Sequence, residues 1–301
     1  MDIEADYANA QGRTRLFDEP ALFERYVELI RRAGVKVTGF LVTSFLARYG
    51  EGIRKLEREI PIEFALHSHH HNTATSGERG EIELAQKTFR DFFGKEAIGY
   101  RAPIGAISRE GLGNLMDLGF RYDASVFPSI RPGKNGYWNT HMPIEPFRVT
   151  RGRDSILEFP FPALSIIRLN FGLPWIKLYG PGLSTALMRI FPPPSVIALT
   201  THAHDLYAPH LSDGVTALEK RALLRNSERG FDILETMIGR FRAAGYEFAW
   251  MSDICDHTDS LPDLPSMPLD EWRYFLFKDF PWRQPSNTAS KNTPNSPSTS
   301  A

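Results

Sequence analysis

Apolar positions along this chain alternate between two periods. Leu22, Phe23, Tyr26, Val27 and Ile30 recur at helical spacing behind Asp18-Glu19-Pro20, with Asp18 placed as an N-cap and Pro20 in the first turn. Gly34 stops that pattern, and residues 35–43 read as a strand. The order then returns. A buried strand ends at His67, a helix over 78–93 aligns Ile82, Ala85, Phe89 and Phe92, and Gly94 closes it. A short strand over 97–100, a helix capped by Ser108 and a short strand ending at Tyr122-Asp123 follow. Further on, 195–201 reads as a strand, 228–243 as a helix turning Phe231, Leu234, Ile238 and Phe241 inward, and 247–251 as the last strand. Gly34, Gly119 and Gly245 each end a helical pattern and precede a strand-like one. Helix, glycine, strand in repetition predicts βα units around a parallel sheet.

Two stretches break this rhythm. Residues 128–155 are rich in Pro, Gly, Arg and Asn and read as a long loop. Residues 156–194 are apolar, punctuated by Arg168, Lys177 and Arg189 and closed by three prolines. They read as core and capping helices or, alternatively, as an interfacial helix pair making peripheral membrane contact near a lipid-bearing substrate. Residues 284–301 are Ser, Pro, Asn and Thr with little apolar content and read as a disordered tail, after an extension over 257–283. At the other end Asp2, Glu4 and Asp6 resemble the end of a strand whose apolar part is missing, so an upstream start or a shortened first strand is expected.

Composition narrows the classes. At 301 residues and 42% hydrophobic content, one large α/β domain is accommodated. A net charge of −1 gives no reason to expect nucleic acid. The one cysteine, Cys255, excludes an internal disulfide framework and a cysteine-rich metal site. No signal-peptide pattern and no run of about 18 uncharged apolar residues occurs, so the expected location is cytoplasmic.

The chemistry gathers at strand ends, where sites form in parallel βα architectures. His67-Ser68-His69-His70-His71 follows a strand directly, and His67 and His71 are four apart. A solvated polar loop is the plain alternative. Two histidines plus a carboxylate, however, make a metal site with an open position. Asp2 and Glu4, Arg101, Asp123, and His202 and His204 stand at other strand ends. A second carboxylate to take a proton from water, and a distant histidine to protonate a leaving group, complete the parts for hydrolysis of an amide or ester.

These motifs resemble those of the polysaccharide deacetylase family with NodB homology, also called carbohydrate esterase family four. His67-Ser68-His69-His70-His71 is similar to its His-Ser/Thr-x-x-His motif, and Arg101-Ala102-Pro103-Ile104-Gly105 to its Arg-x-Pro-x-Gly motif. Tyr122-Asp123-Ala124-Ser125 and Leu199-Thr200-Thr201-His202 resemble the fourth and fifth, and Asp2-Ile3-Glu4 the first-strand motif. The resemblance implies a distorted (β/α)7 barrel over residues 1–256 with an apparently truncated first strand. It implies one divalent ion, zinc foremost with cobalt or another first-row ion as alternatives, held by Glu4, His67 and His71. Asp2 would be the base, Arg101 its partner, His202 the acid (with His204 as a competitor) and Asp123 the residue orienting a catalytic partner. Ile104 departs from the family's aromatic residue in the third motif. The expected substrate is an N-acetylated amino sugar of an envelope or exported glycan or its precursor, with a lipid-linked form as an alternative. A lipid-linked sugar deformylase, a cyclic amide hydrolase and a non-catalytic glycan-binding barrel are the competing readings.

Overall fold

The computed structural model describes residues 1–7, 12–131, 136–209, 211, 215–258 and 264–276. The tail expected over 284–301 lies outside the described residues. Ten strands are described: β1 (Asp2–Ile3), β2 (Val37–Leu41), β3 (Ile62–Leu66), β4 (Gly99–Tyr100), β5 (Tyr122–Asp123), β6 (Ile130–Arg131), β7 (Tyr137–Trp138), β8 (Phe147–Arg151), β9 (Asp154–Glu158) and β10 (Ser266–Pro268). The described helices are α1 (Arg15–Asp18), α2 (Pro20–Ala33), α3 (Leu46–Glu59), α4 (Arg79–Phe93), α5 (Arg109–Asp117), α6 (Leu173–Tyr179), α7 (Pro181–Ile190), α8 (Ala217–Leu224), α9 (Gly230–Ala243) and α10 (Met251–Thr258).

The helical stripes become buried faces. α2 buries Phe23, Tyr26, Val27, Leu29 and Ile30, and ends where Gly34 adopts a left-handed conformation at φ 59°. α3 buries Leu46, Tyr49, Ile53 and Leu56, and α4 buries Ile82, Ala85 and Phe89. Between these helices β2 and β3 pair in parallel from Val37↔Ile62 to Leu41↔Leu66. The sheet order is β1-β2-β3-β4-β5-β9-β8-β10, parallel throughout except that β8 and β9 run antiparallel. This is the expected α/β class, with successive βα units placing the ends of β1, β3 and β4 at one edge.

Three expectations are corrected. Residues 195–201 and 247–251 were expected as strands, but neither forms a strand. The first meets β1 through one parallel bridge, Asp2↔His202, with Asp2 N donating to Thr201 O at 2.8 Å. The tight Leu199 N to Ile197 O bond diverts the backbone from a ladder, and the two residues of β1 offer little edge to pair with. A cavity of about 610 Å³ lies between β1, β2 and these segments, lined by Met1, Tyr26, Phe40, Ile197, Leu234 and Phe248. Residues 128–155 are not one loop. They hold the antiparallel pair β6–β7 and β8, whose Phe147 and Val149 face inward while Arg148 and Arg151 do not. Gly152, at φ 62°, turns β8 into β9. Ser266–Pro268 lies in the stretch read as an extension, and it pairs with β8 in the same sheet.

Residues 156–194 divide. Leu173, Ile176 and Lys177 of α6 are buried, whereas Ile166 and Ile190 are exposed at 82% and 67%. Among the described residues no helix is long and apolar enough to cross a membrane.

Candidate metal centre

β3 ends at Leu66, and His67 follows with 2% of its surface exposed. The next turn is unusual: Ser68 and His71 both take positive φ, 63° and 58°. Two side chains hold this shape. Ser68 Oγ accepts from His71 N at 2.9 Å. Glu81 of α4, itself buried, accepts from His69 N and His70 N at 3.0 and 2.7 Å and from His70 Nδ1 at 2.8 Å. His69 Nδ1 in turn is hydrogen-bonded to Thr43 Oγ1 at 2.8 Å.

The turn brings the His67 and His71 rings to 5.0 Å between centroids. His67 Nε2 lies 3.6 Å from Glu4 Oε2, and His71 Nε2 contacts the same oxygen. His67 Nδ1 lies 2.7 Å from Arg101 O, which assigns the ring proton to Nδ1 and leaves the Nε2 lone pair facing Glu4. One ligand atom from each of Glu4, His67 and His71 lies within 4.8 Å of the other two. Two imidazoles and a carboxylate converging in this way fit a zinc-type centre with an open position. Burial alone would raise the Glu4 carboxyl, but the facing imidazoles of His67 and His71 hold it well below its ordinary value. His71 is raised despite its burial, through Glu4.

Beside this cluster stand Asp2 and His202. Arg101, 1% exposed, donates from Nη1 to Asp2 Oδ1 at 2.6 Å and from Nε to Ala124 O at 3.0 Å. Its guanidinium lies 3.9 Å from the Phe40 ring centre and 4.6 Å from that of Phe161. Burial pushes the Asp2 carboxyl up, yet Arg101, with His67 and His202, brings it below its ordinary value. Asp2 Oδ2 is 3.5 Å from His202 Nε2 and 4.0 Å from His67 Nε2. His202 Nε2 is also 4.0 Å from Glu4 Oε1. The other face of His202 meets Asp205: Nδ1 and the backbone N both reach Oδ2 at 2.9 Å. Burial would lower His202, but Asp205, Asp2 and Glu4 together raise it to about 9. Asp205, buried too, is drawn down to about 2, chiefly by His202. His204 stacks on His202 at 4.9 Å between centroids, and burial lowers it.

Asp123 is engaged with Ser125 and Glu158. On β5 it is the register partner of Glu158 on β9, and the two buried carboxyls face one another. Asp123 Oδ1 accepts from Ser125 Oγ at 2.7 Å, and Ser125 Oγ accepts from Ala102 N at 2.8 Å. Asp123 is thereby tied to the loop that carries Arg101. Sequence reasoning did not assign roles to Glu81, Asp205 or Lys177. The His-x-x-Asp spacing of 202 and 205 was the available signal for Asp205; Glu81 is one acidic residue among several on its helix.

The fold and this cluster together define a largely parallel α/β protein with a histidine–carboxylate cluster at the ends of β1, β3 and β4. The comparisons narrow the class. The polysaccharide deacetylase profile matches residues 15–122, which contain the His67–His71 and Arg101–Gly105 motifs but not Asp2, Glu4 or His202. No curated protein matches the sequence. A structure described as a polysaccharide deacetylase of Mycobacterium smegmatis superposes with a TM-score of 0.53 at 17% identity, over 88% of this chain and 92% of that one. A second so described, from Pseudomonas aeruginosa PAO1, gives 0.52 at 16%, over 80% and 73%. A Puue allantoinase gives 0.52 at 15%, over 83% and 76%. The fold is the one these deacetylases share.

Proposed function

We propose that the chain is a metal-dependent carbon–nitrogen hydrolase that removes the N-acetyl group from an amino sugar of an envelope or exported glycan or its precursor. The observation that carries this reading is the placement of Asp2 Oδ2, 3.5 Å from His202 Nε2, beside the Glu4–His67–His71 cluster. A base, an acid and an open metal-ligand set then border one small space. A divalent cation held by Glu4, His67 and His71, zinc foremost, would supply Lewis acidity, acidifying a water and polarising the acyl oxygen.

The chain's own groups do the proton work. Asp2, kept ionised by Arg101, takes a proton from the attacking water as the new carbon–oxygen bond forms. His202, protonated at Nε2, gives its proton to the nitrogen as the carbon–nitrogen bond breaks, so acetate and a free amine leave. Arg101, tied to Ala124 O, fixes Asp2 in place.

The likeness to an allantoinase, equal in score to that with the second deacetylase, supports cyclic amides as a second reading. Mass spectrometry of products from a panel of N-acetyl and N-formyl amino sugars and cyclic amides, with zinc- or cobalt-loaded protein, separates them. The expected product is a free amino sugar with acetate, lost in Asp2→Asn. A ring-opened cyclic amide with no deacetylated sugar would favour the second reading, and no product from any substrate would contradict both.

A further inference from the structure

We infer that His202 takes its working orientation and tautomer from Asp205 in its own turn, backed by the buried Lys177 of α6, and that Asp205 and Lys177 are positioning residues for the proton donor. This rests on the reading of His202 as the acid. Residues 203–205 form a single 3-10 turn, and within it one oxygen, Asp205 Oδ2, receives both the backbone N and the ring Nδ1 of His202 at 2.9 Å. Two bonds to one atom fix the backbone and the ring together. With the Nδ1 proton committed to Asp205, Nε2 is the nitrogen left to face Asp2 and Glu4, at 3.5 and 4.0 Å.

The other oxygen of the same carboxylate, Oδ1, lies 3.7 Å from Lys177 Nζ. Lys177 is 3% exposed, and an isolated buried ammonium is costly unless it is paired. α6 is docked where that pairing requires: Leu173 N donates to Thr200 O at 2.8 Å, two residues before His202. Asn226 Nδ2 donates to Lys177 O at 2.7 Å and holds the far end of the helix. Asp123, the carboxylate that the sequence motif offered for this task, is engaged instead with Ser125 and Glu158.

The test compares Asp205→Asn, Lys177→Met, the double variant and Asp123→Asn. Each is read by metal content, by kcat and KM separately, and by the imidazole ¹⁵N spectrum of the metal-free protein. The double variant removes both buried charges at once, so it remains informative if Asp205→Asn alone leaves Lys177 unpaired and fails to fold. In the wild type the His202 Nδ1 should carry a hydrogen-bonded proton whether the ring is charged or neutral, so that the neutral ring is the Nδ1–H tautomer alone. Asp205→Asn and the double variant should lose that signature and lower kcat by ~10–100-fold, with KM and metal content little changed. Asp123→Asn should leave the His202 signature as it is. Retention of the signature and of kcat without the Asp205 carboxylate would overturn the inference. A second metal equivalent that disappears with Asp205 would also overturn it, since His202 and Asp205 would then be ligands. If the wild type turns over no N-acyl substrate, the proposed function fails, and the ¹⁵N spectra still decide what positions His202.

Discussion

Asp2 and Asp123 are both buried carboxylates, and their neighbours send them in opposite directions. Arg101 contacts Asp2 directly and outweighs burial, while Asp123, facing Glu158, is raised by burial to about 6. Replacing Asp2 with Asn should therefore remove a base without removing a ligand. Steady-state turnover should fall by ~10²–10⁴-fold while metal content stays at the wild-type level. The Asp123–Glu158 pair makes a pH prediction. A carboxyl whose folded value exceeds its ordinary 3.8 stabilises the fold below that value and loses its contribution as pH rises through about 6. Asp123→Asn should thus gain in Tm relative to the wild type as pH rises from acid to neutral. Melting curves across that range with a constant Tm difference would contradict it. At this scale the sequence disclosed His67 and His71, because their spacing after a strand is itself a ligand pattern. It assigned no role to Asp205. Whether a carboxylate three residues on turns back to the ring depends on the 3-10 turn, and no apolar periodicity marks that turn.

At the scale of elements, the 67–71 turn is the piece whose shape must be held. Two non-glycine residues in the left-handed region are strained unless their surroundings fix them, and Glu81 is the anchor that reaches in from α4. Glu81→Ala should weaken metal affinity by ~10–100-fold, measured by competitive chelator titration, without touching either histidine. The start of α9 plays a comparable part for the acid. A Cβ added at Gly230 would lie 2.2 Å from Asp205 O and 2.6 Å from Leu206 Cα, both backbone atoms that cannot swing aside. Gly230→Ala should therefore cost ~1–3 kcal/mol in chemical denaturation and reduce turnover, by displacing the turn that carries His202. The helices were legible because their stripes are long and end in glycine. β8 was not, since Arg148 and Thr150 alternate with Phe147 and Val149 and make a half-buried strand resemble a polar loop. Residues 195–201 misled in the other direction. Their apolar run is genuine, but strand formation needs a pairing edge, and β1 presents two residues.

On the scale of the whole molecule, the sheet assembles groups separated by two hundred positions of sequence. β1 supplies Asp2, the residues just beyond β1 Glu4, those beyond β3 His67 and His71, the one beyond β4 Arg101, and the segment bridged to β1 His202. The parallel architecture was legible from the recurrence of helix, glycine and strand, and it explains why all these groups stand at one edge. The antiparallel β8–β9 pair and the addition of β10 were not, because they depend on which edge a late segment meets rather than on its own pattern. On the proposed function, this assembly creates one divalent-cation site from Glu4, His67 and His71. Its most direct test is metal analysis of purified wild-type and His67→Ala protein after equilibration with zinc and removal of excess. The expected result is one tightly held equivalent in the wild type and loss of that equivalent in His67→Ala, with the fold retained by circular dichroism. Full occupancy in His67→Ala, or no bound metal in the wild type, would contradict it.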